Sequence, residues 1–486
     1  MPGIPGARYS WAMASTVFER SVPDTRIVSD SLRESRLTPF WTDDLRARPI
    51  FPRHTGTAHY DLAVVGAGYT GLWTALLAAE RDPGARIVVL EANTVGWAAS
   101  GRNGGFCEAS LTHGESNGLT RFPNEYELLD RLGHENLDEI AATVARLGLK
   151  CDFERTGSLA VATERYQLPP LGAAHDGDGE LYFDADGIRG LVNSPTYLGG
   201  LWSKNATAMV HPGKLAAELA RACLEAGVEI REHSPVRDID SELPTGPVTL
   251  TTDGGFVGAE KVALATNVFP SLLKRYRLHT VPVYDYVLMT EPLTDAQLAS
   301  IGWEGRQGIA DLANQFHYYR LSADNRILWG GYDAIYHYGG RIRKSYDDRA
   351  QSFQKLASHF FTTFPQLEGV RFSHRWAGVI DTSTRFCAFY GLARRGRVAH
   401  AAGFTGLGVG ASRFAANVML DRLSGESTER TELEMVRSTP LPFPPEPAAF
   451  AGVQATKWAL DQADHSEGRR NALLKTLDAV GLGFDS

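Results

Sequence analysis

The sequence predicts an α/β protein in which a parallel-sheet domain is interleaved with an antiparallel-sheet α+β domain. Within residues 62–90 an apolar run, a helical stretch and a second apolar run follow one another, and such a unit places its two strands parallel. A second α/β stretch begins near residue 211, and aromatic-rich segments with alternating polarity lie on both sides of it. The chain has 486 residues, more than one hydrophobic core usually holds.

The composition excludes several classes of protein. The net charge is only -8, and no block of Lys and Arg is dense enough to indicate a nucleic-acid partner. The four cysteines form no C-x-x-C pair, which favours reduced thiols over disulfides or a metal site. No stretch has the length of a signal peptide or a membrane span. We therefore expect a cytoplasmic protein with no metal and no membrane partner.

A glycine motif joins the first strand to its helix. Gly66, Gly68 and Gly71 form the pattern G-x-G-x-x-G directly after the apolar run 62–65. In a dinucleotide-binding turn the first glycine permits the tight turn, and the second lets the backbone approach a pyrophosphate. The third allows close packing of helix and strand. The motif predicts a Rossmann-type dinucleotide site.

Residues beside the motif describe the ligand further. Tyr69 and Thr70 would begin the helix, whose free N–H groups and positive dipole end attract a diphosphate. Glu91 ends the second strand, where a carboxylate accepts hydrogen bonds from ribose hydroxyls. The same charge would repel a 2′-phosphate, which disfavours an NADP-type ligand. The alternative is a structural glycine turn with a solvated Glu91.

A loop of small residues after the second strand favours FAD over NAD. Residues 95–106 are VGWAASGRNGGF. Such a loop suits backbone contact with a flat ring and a second approach to the diphosphate, which an NAD domain does not need. The candidate cofactor-binding residues of this loop are Ala99, Ser100, Arg102, Asn103, Gly104 and Gly105.

A second glycine-rich segment, residues 403–410, precedes a predicted helix over residues 411–423. Reduced flavin carries negative charge near its N1 atom and C2 carbonyl, and N–H groups at a helix start would stabilise that charge. The alternative is a turn whose glycines serve only close packing. The candidate residues for the flavin contact are Gly403, Thr405, Gly406 and Leu407.

Taken together, these motifs resemble those of the D-amino-acid-oxidase-like superfamily of FAD-dependent oxidoreductases, and within it gamma-glutamylputrescine oxidase and its relatives. The resemblance covers roughly residues 58–425, and its most specific segments are residues 96–105, 211–215, 327–331 and 401–410. It implies hydride transfer to flavin N5 from a carbon next to nitrogen, which leaves an imine for water to hydrolyse. It also implies reoxidation by molecular oxygen, with hydrogen peroxide as the product. The expected partners are therefore a small amine or amino acid and oxygen.

The resemblance also bears on how the flavin is held. Some relatives tether it through Cys or His. Here Arg102 and Asn103 stand where certain covalent members have histidine, and Cys387 lies several residues after the position of the tethering cysteine. Non-covalent FAD is expected. Two other functions stay open: an FAD-dependent amine dehydrogenase that passes electrons to a carrier, and a non-catalytic dinucleotide-binding protein.

Candidate substrate contacts come from an aromatic strand at residues 316–320. Alternation places Phe316, Tyr318 and Arg320 on one face, and the resemblance implies that this strand faces the flavin. Arg320 would clamp a substrate carboxylate, Tyr318 would wall or hydrogen-bond the amine, and His317 is a third catalytic candidate. The alternative is an exposed Arg320 with core tyrosines and a structural histidine. Further candidates for the same pocket are Tyr284, Tyr286 and Trp376.

The patterns predict two interleaved domains with a segment at each end. The FAD-binding domain would consist of residues 58–149, 206–274 and 381–430, and the substrate domain of residues 150–205 and 275–380. An irregular N-terminal arm (1–57), partly held against the body by the aromatic pair Phe40 and Trp41, would precede them, and a C-terminal tail (431–486) would follow.

Overall fold

The computed structural model describes residues 15–45, 48–173, 179–240, 246–479 and 481–483. These residues form two large sheets and one small one. The first large sheet has eight strands: Gly56–Val65, Ile87–Leu90, Glu229–Arg231, Val236–Asp240, Val248–Thr252, Gly255–Leu264, Phe389–Ala393 and Val398–Ala402.

The centre of the first sheet is parallel. Gly56–Val65 pairs in parallel with Ile87–Leu90 on one side and with Gly255–Leu264 on the other. Residues Leu62 to Val65 and Ile87 to Leu90 are buried throughout, as strands covered on both faces must be. Helices lie on one face, and Ile239, Leu250 and Tyr276 belong to the cluster on the other.

The second sheet has ten strands and is mostly antiparallel. One of its faces packs on the helix Ala350–Thr363 in a core rich in Tyr, Trp and Phe. Two pairs of adjacent strands are parallel: Arg36–Leu37 with Phe372–Ser383, and Ser158–Ala162 with Gly308–Asp311. The strands are Arg36–Leu37, Ser158–Ala162, Glu180–Phe183, Gly199–Ser203, Thr280–Thr290, Gly308–Asp311, His317–Leu321, Ile327–Gly331, Ile335–Tyr336 and Phe372–Ser383.

A two-stranded sheet and the helices complete the described structure. Phe106–Glu108 pairs with Thr207–Met209. None of the helices in these ranges is long and apolar enough to cross a membrane. The helices of seven or more residues are Thr25–Leu32, Tyr69–Arg81, Glu115–Arg121, Tyr126–Arg146, Ala185–Leu191, Pro212–Glu225, Asp295–Ile301, Ala350–Thr363, Gly408–Ser424, Ala448–Asp464 and Ala472–Ala479.

The predicted fold class is confirmed. The prediction of an irregular arm is wrong for residues 15–45, because they hold short helices and the strand Arg36–Leu37, which joins the second sheet. These short elements depend on tertiary packing: Phe40 is only 4% exposed and Trp41 is fully buried. Residues 1–14 of the arm lie outside the described residues. Strand Phe372–Ser383 runs past the predicted domain boundary at 380.

Candidate active site

A cavity of about 380 Å³ lies where the parallel strands of the first sheet end. Val65, Leu90 and Ala265 bring the carboxyl ends of three adjacent strands to its wall, which is the usual position of a ligand site in a parallel sheet. The other lining residues fall within segments 66–70, 91–103, 235–237, 266–272, 379–381 and 404–409. The first and the last segments of the predicted FAD-binding domain thus line the same cavity.

The glycine motif is shaped by close approaches. Gly66 has a φ of +107°, and a Cβ there would lie 2.5 Å from the carbonyl oxygen of Ala265. A Cβ on Gly71 would lie 1.8 Å from the carbonyl oxygen of Gly66, so Gly71 serves the contact between helix and turn and does not line the cavity. Gly68 lines the cavity opposite Ser100. Larger side chains at these positions would fill the turn.

Two helix starts meet the cavity. The helix Tyr69–Arg81 begins there with Gly68 at its N-cap, and Tyr69 donates its backbone N–H to Ser100 Oγ at 2.9 Å. Thr70 also lines the cavity. Gly408 and Val409 at the start of the helix Gly408–Ser424 line it as well. Both starts present positive dipole ends to one space, which favours an anionic ligand.

The carboxylate of Glu91 is buried at this cavity and connects three segments around it. Oε2 accepts the Ala67 N–H at 2.7 Å, and Oε1 accepts the Asn93 N–H at 2.8 Å and the Trp97 indole N–H at 2.9 Å. Burial raises the pKa of Glu91 above its usual value. Two oxygens offer about four acceptor positions, so one remains on Oε2 for a ligand hydroxyl.

We expect Glu91→Gln to weaken FAD binding. The amide has one acceptor oxygen, so its NH2 group would face either the N–H donors of Asn93 and Trp97 or the Ala67 N–H and the bound ribose hydroxyl. Losing a hydrogen bond to a charged group costs about 1.5–3 kcal/mol, or roughly 10- to 100-fold in Kd. Titration of the apoprotein with FAD, followed by flavin fluorescence, measures the change. The exposed Glu260→Gln is the matched control, and equal affinities for the two variants would contradict the assignment.

Two further polar groups of the cavity are suited to a dinucleotide, because such a ligand would supply the hydrogen-bond partners that they lack. Within the described residues, the buried atoms Thr266 Oγ1 and Asn267 Oδ1 have no hydrogen-bond partner, and both residues line the cavity. A buried polar atom without a partner is costly. A ligand with several hydroxyl, amide and phosphate groups, such as FAD, would satisfy them.

Asp381 is a buried acid in the cavity wall that no sequence motif indicated. It closes the cavity from the second sheet and accepts the N–H of Gly403 at 2.6 Å, which ties the strand Phe372–Ser383 to the second glycine segment. Burial raises its pKa to about 6. The segment 265–272 was missed as well. This segment follows a strand that is parallel to Gly56–Val65, and the carboxyl ends of parallel strands usually border the ligand site, so its position could have indicated its role.

The structure separates the predicted loop residues into two groups. Ala99, Ser100 and Asn103 line the cavity. Asn103 also holds the loop in shape, because its side chain donates to the carbonyls of Ala99 and Ser100 and accepts the Gly105 N–H. The second group has structural contacts outside the cavity lining: Arg102 donates to the carbonyls of Trp97 and Ala377, and Gly104 and Gly105 lie against Tyr318 and Arg320.

Two buried indoles fix this loop from outside. Trp41 donates to the carbonyl of Asn103 and Trp376 donates to the carbonyl of Arg102, both at 2.8 Å. The N-terminal arm, which looked uninformative in the sequence, therefore supports the loop through Trp41. Trp376 was a candidate for the substrate pocket, and its indole N–H is used in this support.

Of the second glycine segment, only Gly406 among the predicted residues lines the cavity. Thr405 Oγ1 donates to the Gly403 carbonyl and accepts the Ser383 N–H, so its hydroxyl is engaged locally. Leu407 is buried in the hydrophobic core, and Gly403 lies against Phe389 and Ser383. Phe404 takes a place in the lining instead.

Tyr318 lies on the face of the second sheet that is turned towards the loop 96–105. Gly104 lies so close that a Cβ there would be 2.7 Å from the ring, and Phe106 meets the ring edge-on. The hydroxyl donates a short hydrogen bond to the carboxylate of Asp285. Burial raises the pKa of Asp285 to about 6 and raises that of Tyr318. The carboxylate of Asp285 therefore lies beside Tyr318 at the expected substrate pocket, although no sequence motif indicated it.

Arg320 shares the face of Tyr318, but its contacts are structural. The guanidinium is buried and donates to the carbonyls of Val210 at 2.6 Å and Gly105 at 3.3 Å. It also lies 5.8 Å from the ring centre of Trp41. Burial lowers its pKa to about 10, so it is charged at neutral pH. The expected carboxylate clamp finds no support in this arrangement.

His317 points to the opposite face of its strand. Nδ1 contacts Asp311 at 2.7 Å and Nε2 contacts His359 Nδ1 at 2.9 Å, and the ring is fully buried. These contacts give His317 a structural setting away from the cavity. Tyr284 and Tyr286 also point away from Tyr318, since their hydroxyls engage the backbone of Arg343 and Tyr346.

A family model described as FAD dependent oxidoreductase (DAO) matches residues 61–422. The chain belongs to this family, an enzyme class that uses FAD and acts on CH–NH or CH–NH2 donors.

Individual proteins agree with this assignment. The chain is 32% identical to the gamma-glutamylputrescine oxidoreductase of Escherichia coli over 385 residues, which cover 76% of this chain and 84% of the relative. It is 29% identical to the probable oxidoreductase OrdL of Haemophilus influenzae over 393 residues, covering 77% and 85%. Among solved structures, glycine oxidase from Geobacillus kaustophilus has the same fold, with a TM-score of 0.64 at 21% identity, covering 76% and 96%.

Proposed function

We propose that this protein oxidises a primary or secondary amine or an amino acid with FAD, and that molecular oxygen reoxidises the flavin to give hydrogen peroxide. Hydride removal from the carbon next to nitrogen would leave an imine, which water hydrolyses to a carbonyl compound and ammonia or an amine. The names of relatives that act on gamma-glutamylputrescine and glycine support this class of substrate.

One observation carries the proposal. The cavity that fits the dinucleotide is closed on one side by Val379, Ile380 and Asp381 of the second sheet, and the same sheet presents Tyr318 next to the loop 96–105. A cofactor site and a polar, aromatic surface are therefore in contact. This is the arrangement that oxidation of a small molecule by a bound flavin requires.

The chain's own residues have distinct roles in this function. Residues 66–70 and Glu91 would hold the diphosphate and the ribose, and FAD when bound supplies the hydride acceptor. Phe106 and Tyr318 would wall the substrate and exclude water. Exclusion of water favours the neutral form of the amine, whose lone pair drives hydride departure. We also propose that FAD is held non-covalently, because the described residues that line the cavity include no Cys or His.

The decisive assay is turnover of a panel of amines and amino acids with oxygen uptake and peroxide measured together. We expect at least one compound to give equal amounts of oxygen consumed and peroxide formed. The same panel with an artificial electron acceptor identifies a dehydrogenase, which would turn over only in its presence. A protein that consumes none of these compounds under either condition would contradict amine oxidation.

A further inference from the structure

One face of the second sheet carries a row of partly exposed residues on five of its strands. Asp285 is paired with Gly378, and Val283 with Ile380, across neighbouring strands. Directly paired residues share a face of the sheet. Further along the same face lie Tyr318, Ala310 and Ala160, which are paired in turn. All seven are partly exposed, whereas the residues between them, such as Tyr284, Tyr319 and Ile309, are buried.

This row continues the cofactor cavity. Ile380 belongs both to the row and to the cavity lining, and Gly378, beside Asp285, faces the backbone of Arg102 in the loop 96–105. The glycine and the two alanines of the row have little or no side chain. The row, defined as Val283, Asp285, Gly378, Ile380, Tyr318, Ala310 and Ala160, is a partly exposed surface that adjoins the cofactor cavity at Ile380.

Asp285 is the only charged residue of the row. It accepts a hydrogen bond from the Tyr318 hydroxyl, and the negative charge of Asp333 also acts on it. No ion pair of the described residues includes Asp285. An enclosed carboxylate without a cation is unfavourable, and burial accordingly raises its pKa to about 6. A ligand that carries its own positive charge would relieve this cost.

The arginines near the row are already engaged. Arg320 donates to main-chain carbonyls, and Arg102 donates to the carbonyls of Trp97 and Ala377 and pairs with Asp347. A substrate carboxylate next to the reacting carbon would therefore meet Asp285 without a compensating cation, and like charges at close range repel. The charges of the row favour an amine over an amino acid.

We propose that Asp285 binds the ammonium group of the substrate and accepts its proton, and that the substrates are alkylamines without a carboxylate on the reacting carbon. This inference rests on the function proposed above. The N–H bond breaks, its electron pair stays on nitrogen, and the proton joins Asp285: R–CH2–NH3⁺ and the carboxylate become R–CH2–NH2 and the carboxylic acid. FAD, when bound, would supply the hydride acceptor for this neutral amine, which would leave as R–CH=NH2⁺. Asp285 finally returns its proton to water.

The test compares butylamine with norvaline and isobutylamine with valine, pairs that differ only in the carboxylate on the amine-bearing carbon. We expect the wild type to prefer the amine of each pair. Asp285→Asn should lower kcat/KM for the amines by roughly 10- to 100-fold, the value of a hydrogen bond to a charged group, mainly through KM. Asp285→Glu keeps the charge and should retain more activity than Asp285→Asn. The exposed Asp295→Asn is the control.

The pH profile distinguishes a binding role from a merely structural one. Below about pH 6 the Asp285 carboxyl is neutral and no longer attracts an ammonium group, so kcat/KM of the wild type should fall as the pH falls through this value. Asp285→Asn should lack this decrease. Tyr318→Phe removes the donor to Asp285 and should shift the acid limb upwards. Tyr319→Phe changes a hydroxyl that bonds Tyr197 on the other face and should leave the limb in place.

Each outcome has a definite meaning. Flavin content is measured for every variant, and if Asp285→Asn does not hold FAD, Tyr318→Phe carries the test. An enzyme that oxidises norvaline and valine better than the amines overturns this inference and leaves the proposed function intact. An unchanged KM and acid limb in Asp285→Asn overturns it as well. If neither amines nor amino acids reduce the wild-type flavin, the proposed function itself has failed.

Discussion

Gly68→Val should purify as a colourless protein without bound FAD. Gly68 lines the cavity at the start of the helix Tyr69–Arg81, and even a Cβ at this position would lie 2.9 Å from Ser100 Oγ. The added methyl groups would occupy the space through which a diphosphate approaches the helix start. Overpacking alone costs roughly 1–3 kcal/mol, and the hydrogen bonds to the diphosphate would be lost in addition. The flavin absorbance of the purified protein measures the effect.

The control is Gly452→Val. Gly452 is exposed on the helix Ala448–Asp464 and a Cβ there meets nothing within 4 Å, so this variant should be yellow. Circular dichroism of both variants shows whether the Gly68 variant is folded. A folded Gly68→Val protein with a full complement of FAD would place the diphosphate elsewhere and contradict the assignment of this turn.

Arg320→Ala should destabilise the protein and impair every substrate equally. The side chain is buried, and its removal leaves the Val210 carbonyl without this donor and opens a cavity beside Trp41 and the loop 96–105. Large-to-small changes of this kind cost about 2–5 kcal/mol. The thermal unfolding midpoint should fall, together with FAD retention, because Arg320 also donates to the carbonyl of Gly105.

Exposed Arg341→Ala provides the comparison, and its unfolding midpoint should match that of the wild type. The informative ratio is the activity of Arg320→Ala on an amine relative to its α-carboxylated analogue. A stable variant with a large loss confined to the carboxylate-bearing compound would restore Arg320 as the substrate clamp and contradict the structural assignment.

The parallel sheet of the fold could be predicted from the sequence because its signals are local. Gly66, Gly68 and Gly71 stand between two apolar runs that form buried strand segments, and the turn follows from their spacing. The carboxylate of Glu91 could be placed at the end of the second strand for the same reason. The short helices of the arm could not be predicted, because they are stabilised by contacts with distant residues and not by their own sequence.

The substrate pocket was harder to predict from the sequence. Strand alternation indicates on which face of the sheet a residue lies, but not which other residues cover that face. Tyr318 and Arg320 do share a face, yet Arg320 is covered by the backbone at residues 105 and 210, whereas Tyr318 belongs to the partly exposed row. Asp285 was missed because it lies between Tyr284 and Tyr286, and the sequence pattern there indicated the two tyrosines as pocket residues. Those tyrosines point to the other face, and only the pairing of strands distant in sequence shows it.

Anaerobic mixing of the purified protein with an amine tests the central claim most directly, because it needs no assumption about the final electron acceptor. The panel would include butylamine, putrescine and N-acylated putrescine, and the flavin absorbance near its visible maximum would be followed. We expect at least one amine to bleach the bound flavin completely, with one equivalent of imine-derived carbonyl compound per flavin. A flavin that stays oxidised with every amine and amino acid, in a protein with full FAD content, would contradict the claim that this enzyme oxidises CH–NH donors.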